Sequence, residues 1–86
     1  MIKASGILRQ VFAIGGETPG WKLVLDSELK VGRGTAVDEI EIDPDGQDLG
    51  RFANQPVRVT GTLVWRTGIE RGAYPVLVVE TIREAQ

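Results

Sequence analysis

The residues best suited to chemistry in this 86-residue chain are acids, arginines and three aromatic rings. Glu41, Asp43 and Asp45 alternate along the chain and are followed by Gly46. Oxygen ligands at alternate positions before a glycine are how a calcium loop of the EF-hand type begins. The pattern then departs. Phe52 stands where a bidentate glutamate should be, and a strand-like segment precedes the acids in place of a helix. Asp43-Pro44-Asp45-Gly46 reads better as a type I turn, with Asp first, Pro second and Gly fourth. Any cation held by Glu41, Asp43 and Asp45 would be weakly bound and solvent-exposed. Glu17 and Glu70 form a second carboxylate pair, and two carboxylates flanking a bond can hydrolyse it as in glycosidases. No spacing in the sequence sets their distance. Gly15-Gly16 follows a strand, but a second strand follows it and no Lys-Ser or Lys-Thr pair does, so a phosphate-cradling loop is not expected.

The chain contains no histidine and no cysteine. It therefore lacks the usual general base near neutral pH, the thiolate nucleophile and the two commonest zinc ligands. The expectation is a protein that is not an enzyme, with no cofactor and no metal. The aromatic residues point elsewhere. Trp21, Trp65 and Tyr74 border the glycine-rich stretches 15–20 and 67–73, and Arg66 and Arg71 lie beside them. Rings with a nearby guanidinium stack nucleic-acid bases or sugars. Trp21, Arg66, Arg71 and Tyr74 are therefore the candidate ligand-binding residues. The competing reading is that Trp21 and Trp65, each on the more apolar face of its strand, plug the ends of a small barrel. Glu70 can also pair with Arg66 or Arg71 and leave a self-satisfied surface loop.

Charge is unevenly spread. The formal net charge is −2, yet residues 26–50 carry eight acids against Lys30 and Arg33, while both flanks are mildly basic. Nucleic-acid binding normally draws on a basic field. The acidic block favours a solvated face and a protein partner, with single-stranded nucleic acid or an oligosaccharide as the alternative. No apolar run approaches the roughly 20 residues that span a bilayer, so no membrane partner is expected. The start, Met1-Ile2-Lys3-Ala4-Ser5-Gly6, does not read as a signal peptide. A cytoplasmic location is the expectation, with an already cleaved signal the other possibility.

These side chains need elements to carry them, and one domain is expected at this length. Residues 3–14 alternate as a long strand, with Ala4, Gly6, Leu8, Gln10, Phe12 and Ile14 on one face. Residues 21–25 form a second strand, giving a hairpin across 15–20. Residues 26–35 offer Leu29 and Val31 as buried positions, but Gly32 and Gly34 interrupt any element there. A third strand covers 36–42 with Ile40 and Ile42 inward. A short helical turn follows, begun by Asp48 and burying Leu49 and Phe52 on one side. Strands over 56–66 and 74–82 complete the chain.

Two of these strands nearly repeat. Ala4-Ser5-Gly6-Ile7-Leu8 returns as Val59-Thr60-Gly61-Thr62-Leu63. A glycine inside a strand weakens it, so its usual purpose is a bend or a close backbone approach. Both are what a small closed barrel needs. The order strand, strand, strand, short helix, strand, strand resembles the oligonucleotide/oligosaccharide-binding (OB) fold, a five-stranded Greek-key barrel. The likeness is strongest from Leu49 through Gly50-Arg51-Phe52 into Val57-Arg58-Val59-Thr60-Gly61-Thr62-Leu63. The chain is most similar to the small uncharacterised bacterial members of that superfamily. The resemblance implies a binding or accessory module whose ligand face lies between the first-second and fourth-fifth strand connections. A small open barrel of the SH3 kind is the rival architecture.

Overall fold

The computed structural model describes residues 1–12, 19–32, 34–68 and 72–85, with the backbone alone for Phe12 and Pro19. The alternating segments become five strands: β1 (Ile2–Phe12), β2 (Pro19–Gly32), β3 (Thr35–Asp43), β4 (Pro56–Gly68) and β5 (Gly72–Glu84). A single 3₁₀ turn, Gly50–Phe52, lies between β3 and β4. The strands close in the order β1-β2-β3-β5-β4, with β4 returning to β1. All pairings are antiparallel except β3 with β5, which is parallel. The protein is all-β, and this closed arrangement is compatible with the OB fold and not with an open barrel. Among the described residues no helix is long and apolar enough to cross a membrane.

Alternation decides what goes inside. Leu8, Leu23, Ile40, Ile42, Val57, Val59, Leu77 and Val79 fill the barrel, with no charged or polar side chain buried among the described residues. Leu49 and Phe52 are buried as expected and join the same cluster from the 3₁₀ turn. That turn is tied down at both ends. The Asp48 carboxylate accepts from Gly50 N at 2.9 Å. Leu8 of β1 then donates to Gln55 O at 3.1 Å and accepts from Asn54 N at 2.6 Å.

β2 is longer than the sequence suggests. Its ladder with β3 shifts register between Val24 and Leu29, then resumes with Leu29 opposite Val37 and Lys30 opposite Ala36. The polar run Asp26-Ser27-Glu28 falls in that irregularity, and a bulge absorbs residues that would otherwise break the alternation. The strand then continues to Gly32 with Val31 buried. The turn after β3 is also displaced by one residue. Gln47 N donates to Pro44 O, and the central pair Asp45 and Gly46 both have positive φ, at 50° and 83°. Those are the marks of a type I′ turn over 44–47 in place of a type I turn over 43–46. Asp43 steadies it by accepting from Asp45 N at 2.8 Å.

The two repeated glycines serve close approach. β1 pairs with β4 through residues 2–7 and with β2 through residues 6–12, so Gly6 sits where the strand passes from one neighbour to the other. A Cβ on Gly6 would lie 2.0 Å from Val24 O, and one on Gly61 2.0 Å from Val78 O. Gly61 also marks the register shift in the β4–β5 ladder. Neither position can accept even a methyl group without moving a strand. Gly61→Ala should lower stability by about 3 kcal/mol or more through this overpacking. Gly20→Ala, whose Cβ would meet Val11 Cγ2 at 3.4 Å, should change it by less than about 1 kcal/mol. Urea midpoints of the two variants check the contrast. Phe52→Ala should cost about 3–5 kcal/mol, a large part of a small domain's stability, and a near-native melting temperature would refute the plug.

Candidate functional site

Among the described residues, two of the depressions that carry charged side chains lie on different walls of the barrel. The first lies on the wall made by β1, β2 and β3. Its cavity, of about 420 Å³, is lined by Val11, Lys22, Val37, Glu39, Ile40, Glu41 and Pro75. The local registers explain the rim. Lys22 faces Glu41 across the β2–β3 ladder, and Val24 faces Glu39. Lys22 Nζ reaches Glu39 Oε2 at 3.2 Å. With one cation against two acids, the rim is net acidic.

The cavity spans an incomplete seam. β3 and β5 pair only from Glu41 opposite Val76 to Asp43 opposite Val78. The remainder of β3, residues 35–40, has β2 as its one registered partner among the described residues. Val37, Ile40 and Pro75 floor the gap between the two strands.

The residues expected to bind a ligand are placed as follows. Trp21 is partly buried and packs against the core, opposite Ile42. Arg66 and Tyr74 face each other across the β4–β5 ladder. Arg66 Nη2 donates to Asp43 Oδ2 at 2.5 Å, which joins β4 to the end of β3 over the short parallel ladder. Arg71 lies outside the described residues, as do Glu17 and Glu70. Most of the 15–20 stretch does too, although Gly20 is already in β2. The 67–73 stretch is largely strand, with Thr67 opposite Ala73 and Gly68 opposite Gly72. Trp65 is half exposed and is not a barrel plug. Its ring rests near Gly32, where a Cβ would meet Cζ2 at 3.5 Å. The sequence thus brings Arg66 and Tyr74 together, while Trp21 points to the core side.

Glu41, Asp43 and Asp45 do not gather into a cation site, and no group of three or more potential metal ligands forms among the described residues. Asp43 is committed to Arg66 and to the turn. The Arg66 hydrogen bond, followed by the Asp45 backbone N–H, holds the Asp43 carboxyl below the usual carboxylate range. Gln47, next along, spends its side-chain amide on the carbonyls of Val79 and Glu80, each at 3.2 Å. Those carbonyls sit at the β5 irregularity opposite Thr60 and Gly61.

The second place was missed by sequence reasoning. On the wall of β1, β4 and β5, a groove of about 540 Å³ is lined by Lys3, Ser5, Arg58, Thr60, Thr81 and Arg83, with Ala4 and Val59 beneath. Its signal in the sequence is three isolated cations, each beside buried alternate residues, which only the registers assemble.

Comparison with protein-family models, curated proteins and solved structures finds no match for the chain. A functional reading therefore rests on the site's own geometry.

The Asp43–Arg66 contact has a pH signature. A carboxyl whose pKa is lowered on folding contributes stability that is complete above its unfolded value, about 3.9, and is lost as pH falls through the folded value. Asp43→Asn should therefore be less stable than the parent at pH 7, with the gap closing below about pH 4. The gap should also narrow at high salt, because both groups are partly exposed. Urea titrations across pH measure this, and a gap independent of pH would reject it.

Proposed function

We propose that the chain is a non-enzymatic binding module of the OB kind that takes an extended protein segment at the open part of its β3–β5 seam. The observation that carries this reading is the three-residue β3–β5 ladder against a nine-residue β3. Among the described residues, β3 over 36–40 is registered only with β2, and a strand edge of that kind offers backbone donors and acceptors to a peptide while an adjoining pocket gives side-chain selectivity. Here the pocket supplies an apolar floor from Val37, Ile40 and Pro75 under an acidic rim. Asp38 and Glu39 are exposed on the same stretch of β3. Inward or edge charges discourage pairing between like copies. They favour a partner strand that alternates apolar and basic residues.

The absence of histidine and cysteine supports a binding role over catalysis. A role in stacking bases or sugars draws less support. Trp21 packs on the core, and Arg66 is engaged by Asp43.

A synthetic peptide alternating valine with lysine tests the proposal by amide chemical shift and hydrogen exchange. Residues 36–40 should shift and gain protection. Val37→Asp, which puts a charge on the pocket floor, should weaken binding at least tenfold, or about 1.4 kcal/mol. Equal binding of a valine–glutamate peptide, or shifts confined to Trp21 and Tyr74 on adding oligosaccharide, would reject it.

A further inference from the structure

We propose that the wall formed by β1, β4 and β5, with the adjoining bulge of β2, is the face on which a second copy of this chain docks to form a two-fold dimer. This face carries two depressions of opposite charge that meet along β1. The groove of about 540 Å³ on the β4–β5 side is lined by Lys3, Arg58 and Arg83. A smaller depression of about 260 Å³ on the β2 side is lined by Asp26 and Glu28. Lys3, Ala4 and Ser5 line both.

Strand register makes the groove cationic. Ser5 faces Arg58, and Arg58 faces Arg83. Lys3 faces Thr60, and Thr60 faces Thr81. These residues alternate with inward Ala4, Val57, Val59 and Ile82, so their side chains stand on the outer surface. The acidic depression has its own cause. β1 registers with β2 only from Gly6 onward, and the Asp26-Ser27-Glu28 bulge lies beside the part of β1 that this ladder leaves uncovered.

The charges are unsatisfied within one copy. Arg58 and Arg83 are directly opposed on neighbouring strands, where side chains start about 5 Å apart and like charges destabilise a sheet. Among the described residues, none of Lys3, Asp26, Glu28, Arg58 and Arg83 takes part in an ion pair. Cations and acids thus lie on either side of one strand without joining.

Symmetry turns that layout into a match. A two-fold axis lying in the contact plane along β1 sets the arginines of one copy over the acids of the other, and the same operation sets the reverse. Guanidinium forks suit carboxylates at an interface, and small Ala4, Ser5 and Ser27 let the two copies approach along the axis. Two like contacts then close the assembly at two copies. The β3–β5 seam stays free, since neither Val37 nor Glu39 belongs to this face.

Sedimentation equilibrium of charge-reversed variants tests this. The parent should form dimers and nothing larger. Salt should dissociate them, because the screening length falls from about 10 Å in ~0.1 M salt to about 3 Å in ~1 M. Asp26→Lys with Glu28→Lys in one variant, and Arg58→Glu with Arg83→Glu in another, should each weaken dimerisation at least a hundredfold. Mixing the two should restore a one-to-one dimer of near-parental affinity. The native acids of one copy then face the native arginines of the other, and the two reversed sets face each other. Arg58→Gln with Arg83→Gln, which adds no charge, should weaken the dimer at least tenfold, yet melt no lower than the parent in high salt. Val37→Asp should dimerise as the parent does, and the charge-reversed monomers should still bind the valine–lysine peptide, so this face and the seam fail or stand separately. A parent that stays monomeric at about 1 mM chain, or a mixture that stays monomeric, would overturn the proposal. Oligomers that grow beyond two with concentration would also overturn it, because they require a head-to-tail contact.

Discussion

A five-stranded sheet closes only where neighbouring strands can cross without colliding, and in this chain the crossing passes through two points of backbone contact. At Gly6 the carbonyl of Val24 lies where a Cβ would be, and at Gly61 the carbonyl of Val78 does the same. Strand β1 must serve two neighbours, β4 with its first half and β2 with its second. The changeover needs β1 to lie almost against β2, which only a residue without a side chain permits. Strand β4 meets β5 in the same way, one register step from a bulge. The near-repeat of sequence around the two glycines is thus a repeat of one packing problem, met once where β1 crosses β2 and once where β4 crosses β5.

The rest of the barrel follows from those crossings. The Gln47 amide donates to the carbonyls of Val79 and Glu80 at the irregularity opposite Thr60 and Gly61. Gln47 can reach them because Asp45 and Gly46 adopt positive φ and fold the chain back after β3. The same turn holds Asp43 where Arg66 meets it. The segment that follows delivers Leu49 and Phe52 into the barrel. Curvature, turn and plug are linked through single hydrogen bonds, so a change at Gly61 reaches the end of β3.

Much of this was legible in the sequence, because period-two alternation and strand glycines report directly on backbone demands. Leu49 and Phe52 are buried as the pattern implied, the glycine pair lies in paired strands, and the five strands follow the expected order, although β2 runs well past residue 25. The missed features have physical causes. The end of β2 was hidden because a bulge consumes Asp26, Ser27 and Glu28, and a bulge has no periodicity of its own. The turn slipped by one residue because Asp45 adopts positive φ, which aspartate tolerates better than most residues that carry a side chain, so Pro44 opens the turn and does not occupy its first central position. The cationic groove was illegible for a different reason. Lys3, Arg58 and Arg83 are far apart in the chain, and two strand registers, which alternation alone does not fix, bring them into neighbouring rows.

Register also explains how an acidic protein keeps a basic face. The acids Glu39 and Glu41 of β3 line the cavity at the open seam, with Asp38 exposed beside them, whereas Asp26 and Glu28 of β2 share a depression with Lys3. Lys3 of β1, Arg58 of β4 and Arg83 of β5 line another wall, and the strand order keeps them apart from Glu39 and Glu41 once the barrel closes. Screening at physiological salt acts over about 8 Å, shorter than the width of the barrel, so the acids on one wall cancel little of the field on the other. Net charge therefore describes this molecule poorly. A partner approaching the seam meets Glu39 and Glu41, whereas one approaching the opposite wall meets Arg58 and Arg83, and the two surfaces select for opposite charge.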